Sequence, residues 1–425
     1  MLTEETINLI NQSCEKQHSQ EFESLAEKLT QEGIDVKTLL GQLEKFQIAV
    51  PSWALGAGGT RFGRFTFGGA PRTLLEKIED VGLLHALTKN SNAISLHIPW
   101  DIPNDIQEIK EAAIAQQLRF DAVNSNTFQD QVNQKHSYKY GSLSHVNKAV
   151  REQAIAHNKE VVQIGDSLGS KSITIWLADG SNFPGQNNFQ KALYRTQDSL
   201  QEITKSMPKD WRLFIEYKPY EPNFYSTVIQ DWGTSFLLAN ACGPQAFTLV
   251  DLGHHLPNTN IEQIVATLLM QGKLGGFHFN DSKYGDDDLT VGSIQPYKLF
   301  LIFNELVYGM ATNKNNPPLA WMIDASHNTK DPLEDLLQSI DAILESFAKA
   351  LLIDQKALHQ AQQYNDVVMC QELLQNAFKT DVRPLIREMR LRKGGALDTL
   401  QVYRKTKQRQ IRIQQRGADA LSSGL

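Results

Sequence analysis

Cysteine is scarce in this chain: Cys14, Cys242 and Cys370 are all it has in 425 residues, with no CxxC pair. That excludes a thiolate metal site and a disulfide framework, and fits a reducing compartment, so a cytoplasmic location is expected. Long apolar runs are missing too. No stretch approaches the ~18 apolar residues that a bilayer span needs, so no membrane association is expected. The N-terminal MLTEETINLINQSCEKQHSQEFESL is polar and amphipathic without an apolar core, and no secretory leader is expected. Neither sign of charge dominates, with 42 Lys and Arg against 48 Asp and Glu and a net charge of −6. Such a balance offers no electrostatic footprint for nucleic acid. Internal repeats and low-complexity linkers are also absent.

What is present changes in texture along the chain. Residues 1–45 carry apolar side chains at roughly helical spacing (Ile7 and Ile10, then Leu25, Leu29, Leu39 and Leu40) and predict two helices as an N-terminal extension. From 46 to 350 short apolar runs alternate with helical patterns. The runs at 46–53, 93–100, 118–124, 172–178, 212–217, 247–252, 275–280 and 319–324 read as strands. They lack the period-2 alternation of a half-buried strand, as expected for parallel strands covered on both faces. Eight strand–helix units in this length predict an α/β fold, a (β/α)8 TIM barrel. An open doubly wound sheet is the alternative, and the glycine-rich GAGGTRFGRF (56–65) matches neither GxGxxG nor the phosphate-loop pattern. Residues 351–425 predict a C-terminal helical extension ending in a basic, polar tail. The tail reads as a solvated, fraying helix, with a subunit-wrapping or anion-binding role as the alternative.

The residues that carry chemistry sit at the ends of four strands. RLFIEYKP brings Glu216, FTLVDLGHH brings Asp251 and His254, GGFHFNDSKYGDDD brings His278, Asp286 and Asp288, and LAWMIDASH brings Asp324. Parallel barrels place their sites at the C-terminal edge of the sheet. Carboxylates and imidazoles gathered there repel one another and lose solvation unless a cation holds them. Taken singly, an Asp after a strand is as well explained as a helix cap, and a strand His as a core residue. The coincidence at four strand ends predicts a divalent metal centre with two ions. Oxygen-rich donors suit Mn²⁺, Mg²⁺, Co²⁺ or Fe²⁺ better than copper or structural zinc. Glu216, Asp251, His278 and Asp324 each come from a different strand. His254 lies three residues after Asp251, so it could bind a second ion that Asp251 bridges, and Asp286 and Asp288, two apart, could face that ion while Asp287 points away. Lys218 lies two residues beyond Glu216 and is expected on the same face, where its ammonium would polarise a substrate carbonyl. Trp53, His97 and Trp176 converge on the same mouth. Ser326, two residues past Asp324, would bond a metal-held water or cap the next helix.

EYKPYEP (216–222) is similar to the EPKPNEP motif of xylose isomerases, and Asp251 with His254 and Asp286 with Asp288 resemble two more of their motifs. The closer resemblance is to the L-rhamnose isomerase family, in its broad-specificity pseudomonad branch. It rests on WALGAGGTRFGRF (53–65), DLGHHLPNTNIE (251–262), GFHFNDSKYGDDDL (276–289) and MIDASHN (322–328). The resemblance implies two Mn²⁺-type ions, with Co²⁺ or Mg²⁺ as alternatives. Glu216, Asp251, His278 and Asp324 would hold the first; Asp251 as a bridge, His254, Asp286 and Asp288 the second. Trp53, His97, Phe128 and Trp176 would line the sugar pocket. A homotetramer is implied, with Phe62 reaching a neighbour's site. The implied reaction interconverts L-rhamnose and L-rhamnulose, with tolerance for other sugars, by a metal-mediated 1,2-hydride shift. Lys218 would polarise the carbonyl, Asp324 and Ser326 would manage the O2 proton, and His97 would assist ring opening. The alternatives are a sugar epimerase or an endonuclease IV-like metal-dependent hydrolase on the same barrel.

Overall fold

A computed structural model describes residues 2–56, 65–221, 225–325 and 329–421. Eight parallel strands close into a barrel, numbered here in chain order: β1 (Ala49–Pro51), β2 (Ala93–Ile98), β3 (Arg119–Ser125), β4 (Ser172–Ile175), β5 (Arg212–Glu216), β6 (Ala246–Asp251), β7 (Leu274–Phe279) and β8 (Ala320–Ile323). Each strand pairs with its sequence neighbours, and β1 pairs with β8 to close the ring. All eight runs read as strands in the sequence form one, and the (β/α)8 barrel is the fold. The open-sheet alternative is excluded by the closure.

Registration fixes which side chains point inward. Thr174 lies opposite Phe214, Asp251 opposite His278, and His278 opposite Met322. Because strand side chains alternate, Glu216 shares the inner face with Phe214. The lower barrel is filled by Ala122, Phe214, Phe247, Leu249 and Ala320, with Ala49, Ala93 and Met322 beside them. The inner face is crowded enough to require glycine at one point: a Cβ on Gly276 would lie 2.3 Å from the Ala320 carbonyl oxygen. The outer strand faces pack on the surrounding helices in one continuous core, where each fully buried aliphatic side chain contributes roughly 1.5–3 kcal/mol.

Local chemistry sets the helix starts. Thr73, Asp105, Asn147, Asn188, Asp231, Asn260 and Asp331 each accept a backbone N–H in the first turn of the helix they precede. Four details differ from the sequence expectations. The N-terminal extension has three helices (Glu4–Asn11, Glu15–Gln31 and Val36–Lys45) rather than two, because Cys14 and Asp35 begin new ones. Trp53 lies on a 3-10 turn, Ser52–Leu55, since Pro51 has no N–H with which to extend β1. The helix of the strand–helix unit that starts with β5 begins only at Trp232. Tyr220–Glu221 and Tyr225–Ser226 instead form a two-stranded antiparallel ribbon.

The fourth difference is the tail. It runs as two helices, Thr399–Lys405 and Gln408–Arg416, and Arg412 and Arg416 are buried. Both guanidiniums pair with the buried Asp80 of the first barrel helix, at 2.5 and 2.7 Å. The tail is packed, not a solvated helix. The two extensions also meet: His18 contacts Glu388 at 2.9 Å, and Asn11 bonds the backbone of Gly395 and Leu397. Among the described residues no helix is long and apolar enough to cross a membrane.

Candidate metal centre

Glu216 ends β5, Asp251 ends β6, His278 is the penultimate residue of β7, and Asp324 follows β8. The barrel gathers them so that one ligand atom from each lies within 4.8 Å of all the others. His278 Nδ1 is 3.2 Å from Glu216 Oε1, 3.4 Å from Asp324 Oδ2 and 3.8 Å from Asp251 Oδ2. The first three residues are buried. Asp251 Oδ1 accepts from the Gly253 N–H and from Asn280 Nδ2, at 2.8 and 2.9 Å. Its Oδ2 is buried without a hydrogen-bond partner.

The residues expected around a second ion form an adjoining layer. His254 Nε2 is 3.0 Å from Asp286 Oδ1, and its Nδ1 is 3.3 Å from Glu216 Oε1. Asn280 reaches Asp288 Oδ1 at 3.4 Å as well as Asp251. Asp286 and Asp288 both hold left-handed backbone, at φ 57° and 48°. Such backbone is costly outside glycine and concentrates at functional sites. Between them Asp287 points away from the site and accepts the backbone N–H groups of Lys283, Tyr284 and Gly285.

The electrostatics match a cation site. Burial, with the charges of Glu216 and Asp324 adding to it, pushes Asp251 up to about 7. Burial and its acidic neighbours, Asp286 first, drive Asp288 well above the usual carboxylate range. Burial opposes a charge on His278, but the Glu216 and Asp324 carboxylates together outweigh it and lift His278 to about 10. The cluster therefore collects protons where it lacks other positive charge. The hard oxygen donors, the unpartnered Asp251 Oδ2 and this proton uptake fit divalent cations in both layers.

Lys218 is 2% exposed. Its ammonium binds Asp286 and lies 3.4 Å from Glu221 and 5.4 Å from the Trp176 ring centre. Trp53 donates its indole N–H to Asp324 Oδ1 at 2.9 Å. His97 stacks on Trp100, with centroids 3.9 Å apart, and meets Trp53 and Phe128 edge-on. Phe128 in turn packs on Trp176 at 4.8 Å. An aromatic wall thus faces the carboxylate side of the mouth. Phe62 and Ser326 lie outside the described residues.

Several site residues were not singled out in the sequence. Asn280 bridges Asp251 and Asp288, and its position two beyond His278 on one strand face was a usable signal. Glu221 fixes Lys218 but lies beyond the strand, where alternation gives no direction. Trp100 carries no signal beyond being aromatic. Asp101, buried, binds Ser52 Oγ, the His97 N–H at 2.8 Å and Lys77 Nζ at 2.7 Å, tying Trp53's turn to the end of β2.

Burial, aided by His157 and Lys77, lowers His97 to about 3. It is neutral in the folded protein while its unfolded counterpart takes a proton near pH 6.5. The unfolded state thus binds more protons between those values, and stability falls as pH drops below about 6.5, by up to about 1.4 kcal/mol per pH unit for this group. His97→Gln is expected to lose less stability than the parent between pH 7.5 and 5.0 in urea unfolding with metal present. Equal losses would refute the neutral, buried assignment.

Fold and donor set together define a TIM-barrel protein with a metal-type centre at its catalytic face. Over 404 residues the chain is 50% identical to a probable sugar isomerase of Rhizobium meliloti, covering 95% of this chain and 94% of that one. A probable sugar isomerase of Mesorhizobium japonicum is 49% identical over the same shares. The chain belongs to this family of probable sugar isomerases. Xylose isomerase from Thermus thermophilus is 24% identical over 57% of this chain and 64% of its own. No family model matches. Among solved structures, a D-allulose 3-epimerase from Methylomonas sp. has a TM-score of 0.52 at 10% identity, covering 71% of this chain and 98% of its own. A 3-keto-D-glucoside 4-epimerase from E. coli has 0.51 at 13%, over 71% and 100%. These two likenesses are of fold.

Proposed function

We propose that the protein is a metal-dependent aldose–ketose isomerase acting on free sugars, with L-rhamnose to L-rhamnulose as its reference reaction and tolerance for other aldoses and ketoses. The observation that carries the reading is the convergence of Glu216, Asp251, His278 and Asp324 on one point of the barrel mouth. The family membership supports sugar isomerisation, and the 24% identity to a xylose isomerase supports the metal. Glu216, Asp251, His278 and Asp324 would hold one divalent ion, Mn²⁺ first, and Asp251, His254, Asp286 and Asp288 would hold a second. When bound, such ions supply Lewis-acid polarisation to adjacent substrate oxygens.

The chain's own residues supply the rest. Lys218 donates to the carbonyl oxygen and stabilises the charge that develops there. Trp53, Phe128 and Trp176 cover the apolar faces of the sugar and exclude water, which a hydride moving between C1 and C2 requires. Asp324, with Ser326, takes and returns the O2 proton. His97, held neutral by burial, assists ring opening by accepting a hydrogen bond from a sugar hydroxyl. Phe62 from a neighbouring copy in a homotetramer closes the pocket, and the protein works in the cytoplasm. A second reading, sugar epimerisation, draws on the epimerase fold neighbours. The test is metal-stripped protein reloaded with Mn²⁺ and given L-rhamnose and a panel of aldoses and ketohexoses. Chromatography that finds the corresponding ketose supports isomerisation. Epimers alone, or no conversion with metal bound, sinks it.

A further inference from the structure

One feature of the sequence, the basic tail, has no part in the reaction proposed above, yet it packs against Phe67, Gly68 and Gly69 beside the barrel's seam. β1 and β8 pair only at Ala49 with Met322, whereas β7 and β8 pair from Ala320 to Ile323. The first and last strands are therefore thinly joined. At the mouth the gap is bridged by the Trp53–Asp324 hydrogen bond. One layer outward it is bridged again, from the tail. Arg409 Nε donates to Asp331 Oδ2 at 2.9 Å, and its second arm binds Oδ1. Asp331 caps the helix that follows β8, and Tyr403 holds the same carboxylate at 2.8 Å. The third nitrogen of Arg409 donates to the Gly68 carbonyl at 3.2 Å, and the guanidinium lies 4.7 Å from the Phe67 ring centre. Phe67 and Gly68 stand on the chain that leads from β1 to the first barrel helix.

The fit around that chain is close. Gly69 N–H donates to the Gly417 carbonyl at 2.9 Å. A Cβ on Gly68 would lie 2.9 Å from the Ala418 carbonyl oxygen, and one on Gly69 would lie 2.8 Å from Arg412. Gly69 also has φ 80°, a conformation glycine adopts without cost. The tail helix and the β1 loop are built against each other, and one planar fork spans both sides of the seam.

We propose that Arg409 is a positioning residue for the metal centre: by locking the chain after β1 to the chain after β8, it sets the placement of Asp324 against Trp53. The inference rests on Asp324 being a metal ligand. A misplacement on the order of 1 Å costs on the order of 100-fold in turnover, so a brace outside the pocket matters to the chemistry inside it.

The test compares Arg409→Met and Arg409→Ala with Arg404→Met. Arg404 pairs with Glu334 on the same helix beyond β8 but is exposed and has no part in the site. Mn²⁺ affinity is read by calorimetry, and kcat and KM are read at saturating Mn²⁺. Arg409→Met is expected to weaken Mn²⁺ binding and lower kcat, each by about tenfold or more, and free guanidinium at millimolar concentration is expected to restore part of the loss in Arg409→Ala. Arg404→Met is expected to match the parent. Parent-like affinity and kcat in Arg409→Met would overturn the proposal, as would equal losses in Arg404→Met or no rescue by guanidinium. If the parent binds Mn²⁺ but converts no sugar, the isomerase reading fails separately, and the affinity comparison alone then decides the brace.

Discussion

Lys218→Met is expected to lower turnover on the order of 10²- to 10³-fold, the usual cost of one preorganised donor at a developing oxyanion, while metal still binds. The ammonium is buried between Asp286 and Glu221 and beside the Trp176 ring. It does not have to reorganise when charge builds on a substrate oxygen, and in a water-excluded site it acts more strongly than it would in solution. Methionine keeps most of the length and the apolar contact with Trp176 but carries no proton to donate. The set Glu216, Asp251, His278 and Asp324 does not include Lys218, so that layer is expected to keep its affinity. Loss of the ammonium also leaves Asp286 without a cation it binds, which favours rather than opposes a divalent ion there. Steady-state kinetics at saturating Mn²⁺, beside a calorimetric metal titration, separates the two effects. Turnover within threefold of the parent would remove Lys218 from the chemistry.

Glu216→Gln is expected to abolish two properties together, activity and stabilisation by metal. A ligand that binds only the native state stabilises it by roughly 2.7 kcal/mol at 100 times its Kd, which the parent should show as a rise in melting temperature with Mn²⁺. Glu216 Oε1 faces both His278 and His254, at 3.2 and 3.3 Å. Burial opposes its ionisation, yet the charge of His278 and the hydrogen bonds of both imidazoles hold it well below the ordinary carboxylate range. It is therefore an anion at neutral pH. Glutamine keeps the shape and removes the charge. The metal-free variant is also expected to melt lower, because His278 and His254 lose the carboxylate that favours their charged forms. The fold outside the centre is untouched, so circular dichroism should match the parent. A metal-induced rise in melting temperature equal to the parent's would remove Glu216 from the ligands.

Much of the centre was legible in the chain. RLFIE, AFTLVD and LGGFHF are apolar enough to be buried on both faces, and each carries one charged or imidazole residue at or near its C-terminal end. In a parallel barrel that end is the catalytic face, so three local patterns and the fourth at Asp324 converge on one point without knowledge of any contact. The loop GDDD was legible in part. Alternation separates Asp286 and Asp288 from Asp287, and the structure places Asp287 in the loop's own backbone turn.

Other features had no local signature. Lys218 follows Glu216 by two, but its carboxylate partner Asp286 is 68 residues away, and Glu221 lies on a ribbon the sequence did not announce. The tail read as solvated because QVYRKTKQRQIRIQQR is basic and polar overall. Charges count as exposed until partners are known, and the partners of Arg409, Arg412 and Arg416 (Asp331 and Asp80) sit on barrel helices far back in the chain.

The chain by itself determined the barrel and which four strand-end side chains gather at its mouth, because strand burial and the C-terminal edge rule are encoded within runs of a few residues. Only the tertiary structure decided which carboxylate meets which cation, that the tail is packed, and that one arginine spans the seam. Those choices are pairings between distant segments, and residue order carries no term for the distance at which two opposite charges will meet.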